Sequence, residues 1–321
     1  MVNQRTLKSS FTLEGKGLHT GLNIKITFNP APENHGYKIR RIDIPGKPII
    51  DALAENVTAT QRGTVLSSND VQVSTVEHAL AALYACEIDN CLIDVDAPEV
   101  PILDGSSIQF VKKIKEVGTQ QQDAARIYIS IKRKKIKVAD KLAGSSLLLL
   151  PDESFSVESH ISFDSPLLRR QEASLSSLSE FTKDFASART FVFVREIEPL
   201  LGSNLVKGGD LDNAIVIYDK PIEQEKLDNL ADMMSVKRKN ASKLGYIMNK
   251  PLLYPNEPAR HKLLDIIGDL ALVGHFIKGK VIANCPGHKI NNLFARAIRE
   301  TIYPELKSNN LFAMPEPIGV Y

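Results

Sequence analysis

Several things are scarce in this sequence, and each scarcity excludes something. No stretch approaches the about 18 consecutive apolar residues of a membrane-spanning helix; the obvious oily run Leu147–Leu150 is far shorter. The opening "MVNQRTLKSSFTLEG" carries no apolar core of signal-peptide length. Cysteines number three, Cys86, Cys91 and Cys285, an odd count with spacing too loose for a zinc-knuckle pair. That excludes a disulfide framework and reads as free thiols in a reducing cytoplasm. Forty basic against 38 acidic residues leave a net charge of only +2, and aromatics are few. A nucleic-acid partner therefore has neither a basic field nor stacking platforms to meet it. What is present is a globular composition, 43% hydrophobic and 24% charged over 321 residues, too long for one ordinary core and suited to two domains.

The first third reads as short strands and turns, with "NIKITF" alternating from Asn23 to Phe28 before the proline-bearing loop "NPAPENHG". A helix is signalled at "STVEHALAALYA", with Ser74 or Thr75 as N-cap and Glu77 in the first turn. A strand "NCLIDVD", a turn "APEVPILDGSS" and a helix "IQFVKKIKEV" follow, then the polar run "GTQQQDAA", Gly118 to Ala125, which reads as a linker. The second half opens with strands "RIYISIKRKKIKV" and "SFSVESHISF". It later repeats the earlier plan as helix "RHKLLDIIGDLALVGHF", strand "KVIANC", turn "PGH" and helix "INNLFARAIRE". His78 and His261 stand 183 positions apart, Phe110 and Phe294 184 apart. Near-equal offsets over two helices and a strand predict a duplicated β-α-α-β unit. The domains then run 1–122 and 123–300, with 301–321 as a tail or linker; packed face to face they would bring the two histidine-bearing helices together.

On "RHKLLDIIGD", His261, Asp265 and Asp269 recur every four residues and share one stripe of an otherwise oily helix. His261 and Asp265 alone admit two readings, a hydrogen-bonded core pair or two ligands to one metal. Asp269 favours the second, because a buried carboxylate needs a cation or an imidazolium as partner. Glu77-His78 opens the corresponding helix of the other half. His78, His261 and Asp265 would make a three-ligand site with an open position, the arrangement of catalytic zinc, with Glu77 placed to accept a proton from water. Glu77 taken alone reads equally well as a first-turn acid on the helix dipole. His288, on the turn of "CPGHKINN", and Thr190, ending "ART" at the head of an apolar strand, complete a hydrolytic set. Two histidines and a carboxylate also describe non-haem iron oxygenases, but those triads usually sit on strands, and these residues read as helical.

Seven motifs in order, "GKGLHTG", "STVEHALAAL", "APEVPILDGSS", "ARTF", "KGGDLDNAIV", "RHKLLDIIGDL" and "GHKINN", resemble the UDP-3-O-acyl-N-acetylglucosamine deacetylases of lipid A synthesis. The resemblance covers about residues 5 to 300. It implies an α+β fold of two related β-α-α-β domains, helices sandwiched between the sheets, and a β-α-β insertion at about 191–217 in the second. It implies His78, His261 and Asp265 as ligands to one Zn2+ (Fe2+ being the alternative in the cell), Glu77 as general base and His288 as general acid supported by Asp269. Thr190 would stabilise the oxyanion. Lys262 would face the substrate diphosphate, Phe163 would stack on uracil, and His19 and Phe191 lie close by. Leu18, Val194, Ile197, Val206, Ala214 and Val216 occupy positions of a passage for the fatty acyl chain; without the family they read as a small core under an insertion.

Two departures from that pattern stand out: Val192 where glycine is common, and Asp210 where serine is usual. The basic run Lys132–Lys137 reads as a charged edge strand that could also meet the anionic inner membrane surface transiently. Some relatives continue into a dehydratase domain, and the proline-bearing tail suits such a junction.

Overall fold

Alternation sets the first sheet. Strand Asn23–Pro30 buries Ile24, Ile26 and Phe28 on one face and leaves Asn23 and Lys25 exposed on the other. The computed structural model describes residues 2–132, 135–202, 205–234 and 236–304; Arg133 and Lys134 of the basic run, and the tail beyond 304, lie outside them. The described α-helices are α1 (Glu77–Ala85), α2 (Ile108–Val117), α3 (Leu178–Asp184), α4 (Val194–Gly202), α5 (Gln224–Met233), α6 (Glu257–Ala271) and α7 (His288–Ile302).

Two sheets share one plan. In the first half the strand order is Phe11–Lys16, Asn23–Pro30, Cys91–Val95, Tyr37–Arg41, Ile49–Asp51. In the second it is Ile136–Asp140, Ser145–Leu150, Phe276–Asn284, Phe155–Ile161, Gln171–Leu175. Each third strand in these orders runs antiparallel to its predecessor and parallel to its successor. Ile136–Asp140, which carries the end of the basic run, is an edge strand.

The two histidine-bearing helices lie in one continuous core that reaches both sheets. Helix α1 is buried from Glu77 through Tyr84, which is why its sequence is apolar on nearly every face. Helix α6 is likewise buried apart from Arg260 and Lys262. Where they meet, Gly268 has no room for a side chain: a Cβ there would lie 2.1 Å from the carbonyl oxygen of Glu77. This close crossing sets Glu77 and His78 against His261, Asp265 and Asp269.

Local details depart from the sequence reading. The run 118–125 is no linker, since Thr119–Ala125 pairs antiparallel with Asn3–Leu7. Its half-buried Gln122 is satisfied within the protein, donating to Ala31 O at 3.0 Å and accepting from Asn90 at 2.8 Å. Ser74 and Thr75 do not cap α1. Thr75 holds a left-handed backbone at φ 59°, and the hydroxyl of Ser74 donates to Pro98 O and that of Thr75 to Glu99 instead. Helix α6 starts three residues early, with Pro258 in its first turn, and ends at Ala271, Phe276 already being strand. The insertion is β-α-β, Phe191–Phe193, α4 and Ile215–Tyr218 with its strands parallel, but it is followed by α5 and a third strand, Gly245–Ile247. Among the described residues no helix is long and apolar enough to cross a membrane.

Candidate metal centre and active site

The N-terminal end of α6 is anchored before its polar stripe begins. Buried Glu257 receives the Arg189 guanidinium at 2.8 Å and the Arg189 backbone N–H at 3.1 Å. This ties the segment 188–190 to the helix. Ala188 O then lies 3.0 Å from His261 Nδ1, which fixes that nitrogen as the donor and leaves Nε2 free to ligate. His261 Nε2 lies 3.4 Å, and His78 Nε2 3.7 Å, from Asp265 Oδ1. The two imidazoles meet edge to face at 5.0 Å.

These three residues, all buried, offer one ligand atom each within 4.8 Å of one another. Asp265 Oδ1 has no hydrogen-bond partner, while Oδ2 accepts from Lys262 Nζ at 2.8 Å. An orphaned buried carboxylate oxygen facing two imidazole nitrogens is the signature of a divalent-cation site, and the donor set of two nitrogens and one oxygen fits zinc or ferrous iron. Burial drives His261 down to about 3 against the attraction of Asp265, so its imidazole stays neutral and ligand-competent. Asp265 is held well below the carboxylate range, burial being outweighed by His261, Lys262 and His288.

Beside this cluster stand Glu77 and His288. Glu77 is 3% exposed; its Oε2 accepts from Thr64 N at 3.0 Å and its Oε1 lies 3.7 Å from His288 Nε2. His288 Nδ1 lies 3.0 Å from Asp269 Oδ2. Burial disfavours the imidazolium, but Asp269, Glu77 and Asp265 outweigh it and raise His288 to about 9. Asp269, fully buried, also accepts from Thr64 Oγ1 at 2.5 Å, Asn291 at 2.9 Å and Asn292 at 3.2 Å. The sequence alone assigns no role to Thr64, Asn291, Asn292, Arg189 or Glu257. The two asparagines lie inside the quoted "GHKINN", whereas nothing around Thr64 marks it.

An apolar cavity lies nearby, its Phe191 ring 6.5 Å from that of His261. His19, Thr190 and Phe191 line it together with Leu18, Val194, Ile197, Val206, Ala214 and Val216. Val192 lines it too, so the side chain that replaces a common glycine occupies cavity wall. Asp210 is at its edge, with Oδ1 accepting the backbone N–H groups of Asp212 and Asn213 at 2.8 and 3.0 Å, a turn-closing role. His19 is held by its backbone N–H on buried Glu99 at 2.8 Å, and its Nδ1 is buried without a partner. Lys262 and Phe163 do not line the cavity. Lys262 reaches Asp265 and lies 5.4 Å above the Phe191 ring, and Phe163 packs on Phe191 and Phe193 at 5.7 and 5.3 Å.

Comparison with known proteins gives this arrangement relatives. The chain is 60% identical over 302 residues to the bifunctional enzyme LpxC/FabZ of Porphyromonas gingivalis, covering 94% of this chain and 65% of that protein. It is 40% identical over 306 residues to the protein of the same name from Chlorobaculum tepidum, again over 65% of that protein's length. It is also 40% identical over 296 residues to the UDP-3-O-acyl-N-acetylglucosamine deacetylase of Methylococcus capsulatus, covering 91% of this chain and 88% of that one. The chain thus spans about two thirds of the bifunctional relatives. The model of one family, LpxC, UDP-3-O-acyl N-acetylglycosamine deacetylase, matches residues 4–237 and 222–300, and the chain belongs to that family.

Proposed function

We propose that this chain is a metal-dependent amide hydrolase that removes acetate from UDP-3-O-acyl-N-acetylglucosamine, the committed step of lipid A synthesis, in the cytoplasm. One observation carries the reading. His78, His261 and Asp265 converge, with an unpartnered carboxylate oxygen, beside a buried Glu77 and a cationic His288, and the His261 ring lies 6.5 Å from that of Phe191 in the wall of an apolar cavity.

His78 Nε2, His261 Nε2 and Asp265 Oδ1 would hold Zn2+, or Fe2+ in the cell. When bound, such an ion supplies Lewis acidity, lowering the pKa of water and polarising the amide carbonyl. Glu77 takes the proton of the attacking water, whose oxygen bonds to the acetyl carbon. Thr190 donates to the oxygen that gains negative charge, a contribution often worth about 3 kcal/mol per donor. As the carbon–nitrogen bond breaks, His288 delivers its Nε2 proton to the nitrogen, which leaves as an amine with acetate as the other product. Asp269 keeps His288 charged for that step.

The remaining assignments follow the substrate. Lys262 is the cation for the diphosphate, Phe163 the face for uracil, and His19 and Phe191 border the sugar. The apolar cavity takes the acyl chain. The greater length of the relatives named bifunctional LpxC/FabZ supports a second domain, read here as a dehydratase, fused after this one in the full-length protein. The test is incubation with the UDP-sugar while acetate is followed. Intact protein should release it and a chelator should stop it. Glu77→Ala should lose about two or more orders of magnitude; an unchanged rate removes Glu77 from the mechanism.

A further inference from the structure

We propose that α5 and the segment that follows it to Ile247 form the outer wall of the acyl cavity and set which chain lengths are accepted; this rests on the acyl-chain reading above. A β-α-β insertion alone supplies two strands and one helix. Here the third strand extends the sheet, so that Val192, Val216 and Ile247 stand in one cross-strand row, and all three line the cavity.

Helix α5 closes over that row. Leu227, Leu230 and Ala231, spaced three and four apart, face the cavity and are at most 7% exposed. Apart from the exposed Met233 the rest of α5 is polar: Gln224 donates to Asp228 at 2.8 Å, and Asp232 accepts from Arg238 at 2.6 Å. An otherwise polar helix is held here by that single apolar face. The wall is also pinned. Tyr218 Oη donates to Ala241 O at 2.9 Å and accepts from Ile222 N at 3.1 Å, while the Gln224 amide bonds both Lys239 O and Ala241 N.

The lining includes Phe191, whose ring lies 6.5 Å from that of His261, and also the exposed Lys237 and Lys239, where solvent is within reach. Each methylene buried against this wall is worth about fourfold in affinity; beyond the lysines, further methylenes meet solvent and gain nothing. The position of α5 therefore decides the cut-off.

The test uses UDP-3-O-acyl-N-acetylglucosamines with straight acyl chains from short to long, and reads the ratio of kcat/KM for long over short chains. Ala231→Phe fills the cavity and should lower that ratio about tenfold or more relative to the parent; Leu230→Ala enlarges it and should raise the ratio several-fold. Melting curves establish that each variant is folded, and should Ala231→Phe not fold, Leu230→Ala decides alone. A parent protein that prefers a length, with the ratio unmoved in the folded variants, overturns the wall while leaving the deacetylase reading intact. Equal turnover of every length by the parent also overturns it. No acetate from any chain overturns the deacetylase reading itself, and this inference with it.

Discussion

At the scale of the residue, Asp269 shows how a charge is made tolerable and then useful. A buried carboxylate with no partner would cost several kcal/mol. This one is surrounded by the Thr64 hydroxyl, the Asn291 and Asn292 amides and the His288 ring. Three of these partners are neutral, so most of the charge is left to act on His288. Asp269→Asn keeps the shape and removes the charge. Its kcat for acetate release is expected to fall by about two orders of magnitude with KM little changed, and an unaltered kcat would show that His288 needs no carboxylate behind it. The need for a partner was legible in the sequence, because a stripe aspartate on an oily helix must find one. Thr64 was not legible: it comes from a distant turn and shares its donor character with every other threonine in the chain.

At the scale of the element, the helices were easier to read than their ends. The 3.6-residue pattern marks α1, α2, α6 and α7, but the cap of α1 is not where Ser74 or Thr75 would put it, because Thr75 turns left-handed and spends its hydroxyl on Glu99. Thr119–Ala125 hid as a linker because its polar composition lacks the apolar alternation that marks a half-buried strand. Helix α5 was missed for a related reason: its apolar face is only three residues wide on a polar sequence. The crossing of α1 with α6 yields an expectation of its own. Gly268→Ala must push the new methyl against the Glu77 carbonyl or force the helices apart. Overpacking of this kind costs about 1–3 kcal/mol. The urea midpoint should drop accordingly, and acetate release should drop more steeply, because the displaced backbone carries Glu77. Equal activity with normal stability would mean the crossing has slack that the geometry does not display.

At the scale of the whole molecule, the repeated strand order in two sheets explains why side chains so far apart in sequence meet. Offsets between His78 and His261 hinted at the repeat, yet the packing of the halves depends on complementarity between α1 and α6 that no local pattern encodes. That packing also separates this site from strand-borne iron triads: His78 sits on α1, and His261 and Asp265 sit on α6. A cation held by all three is thus a tie between the halves as well as a reagent. Anything that binds the folded state and not the unfolded one stabilises it by about 4 kcal/mol at a thousandfold excess over Kd. At roughly 2–4 °C per kcal/mol for a chain of about 150–250 residues, zinc should raise the melting temperature by about 5 °C or more, and a chelator should reverse the shift. His78→Ala, with the first half's ligand removed, should abolish most of it even though His261 and Asp265 remain on their helix. A full zinc shift in His78→Ala would place the ion on α6 alone, and the convergence of the two halves would then have no part in holding it.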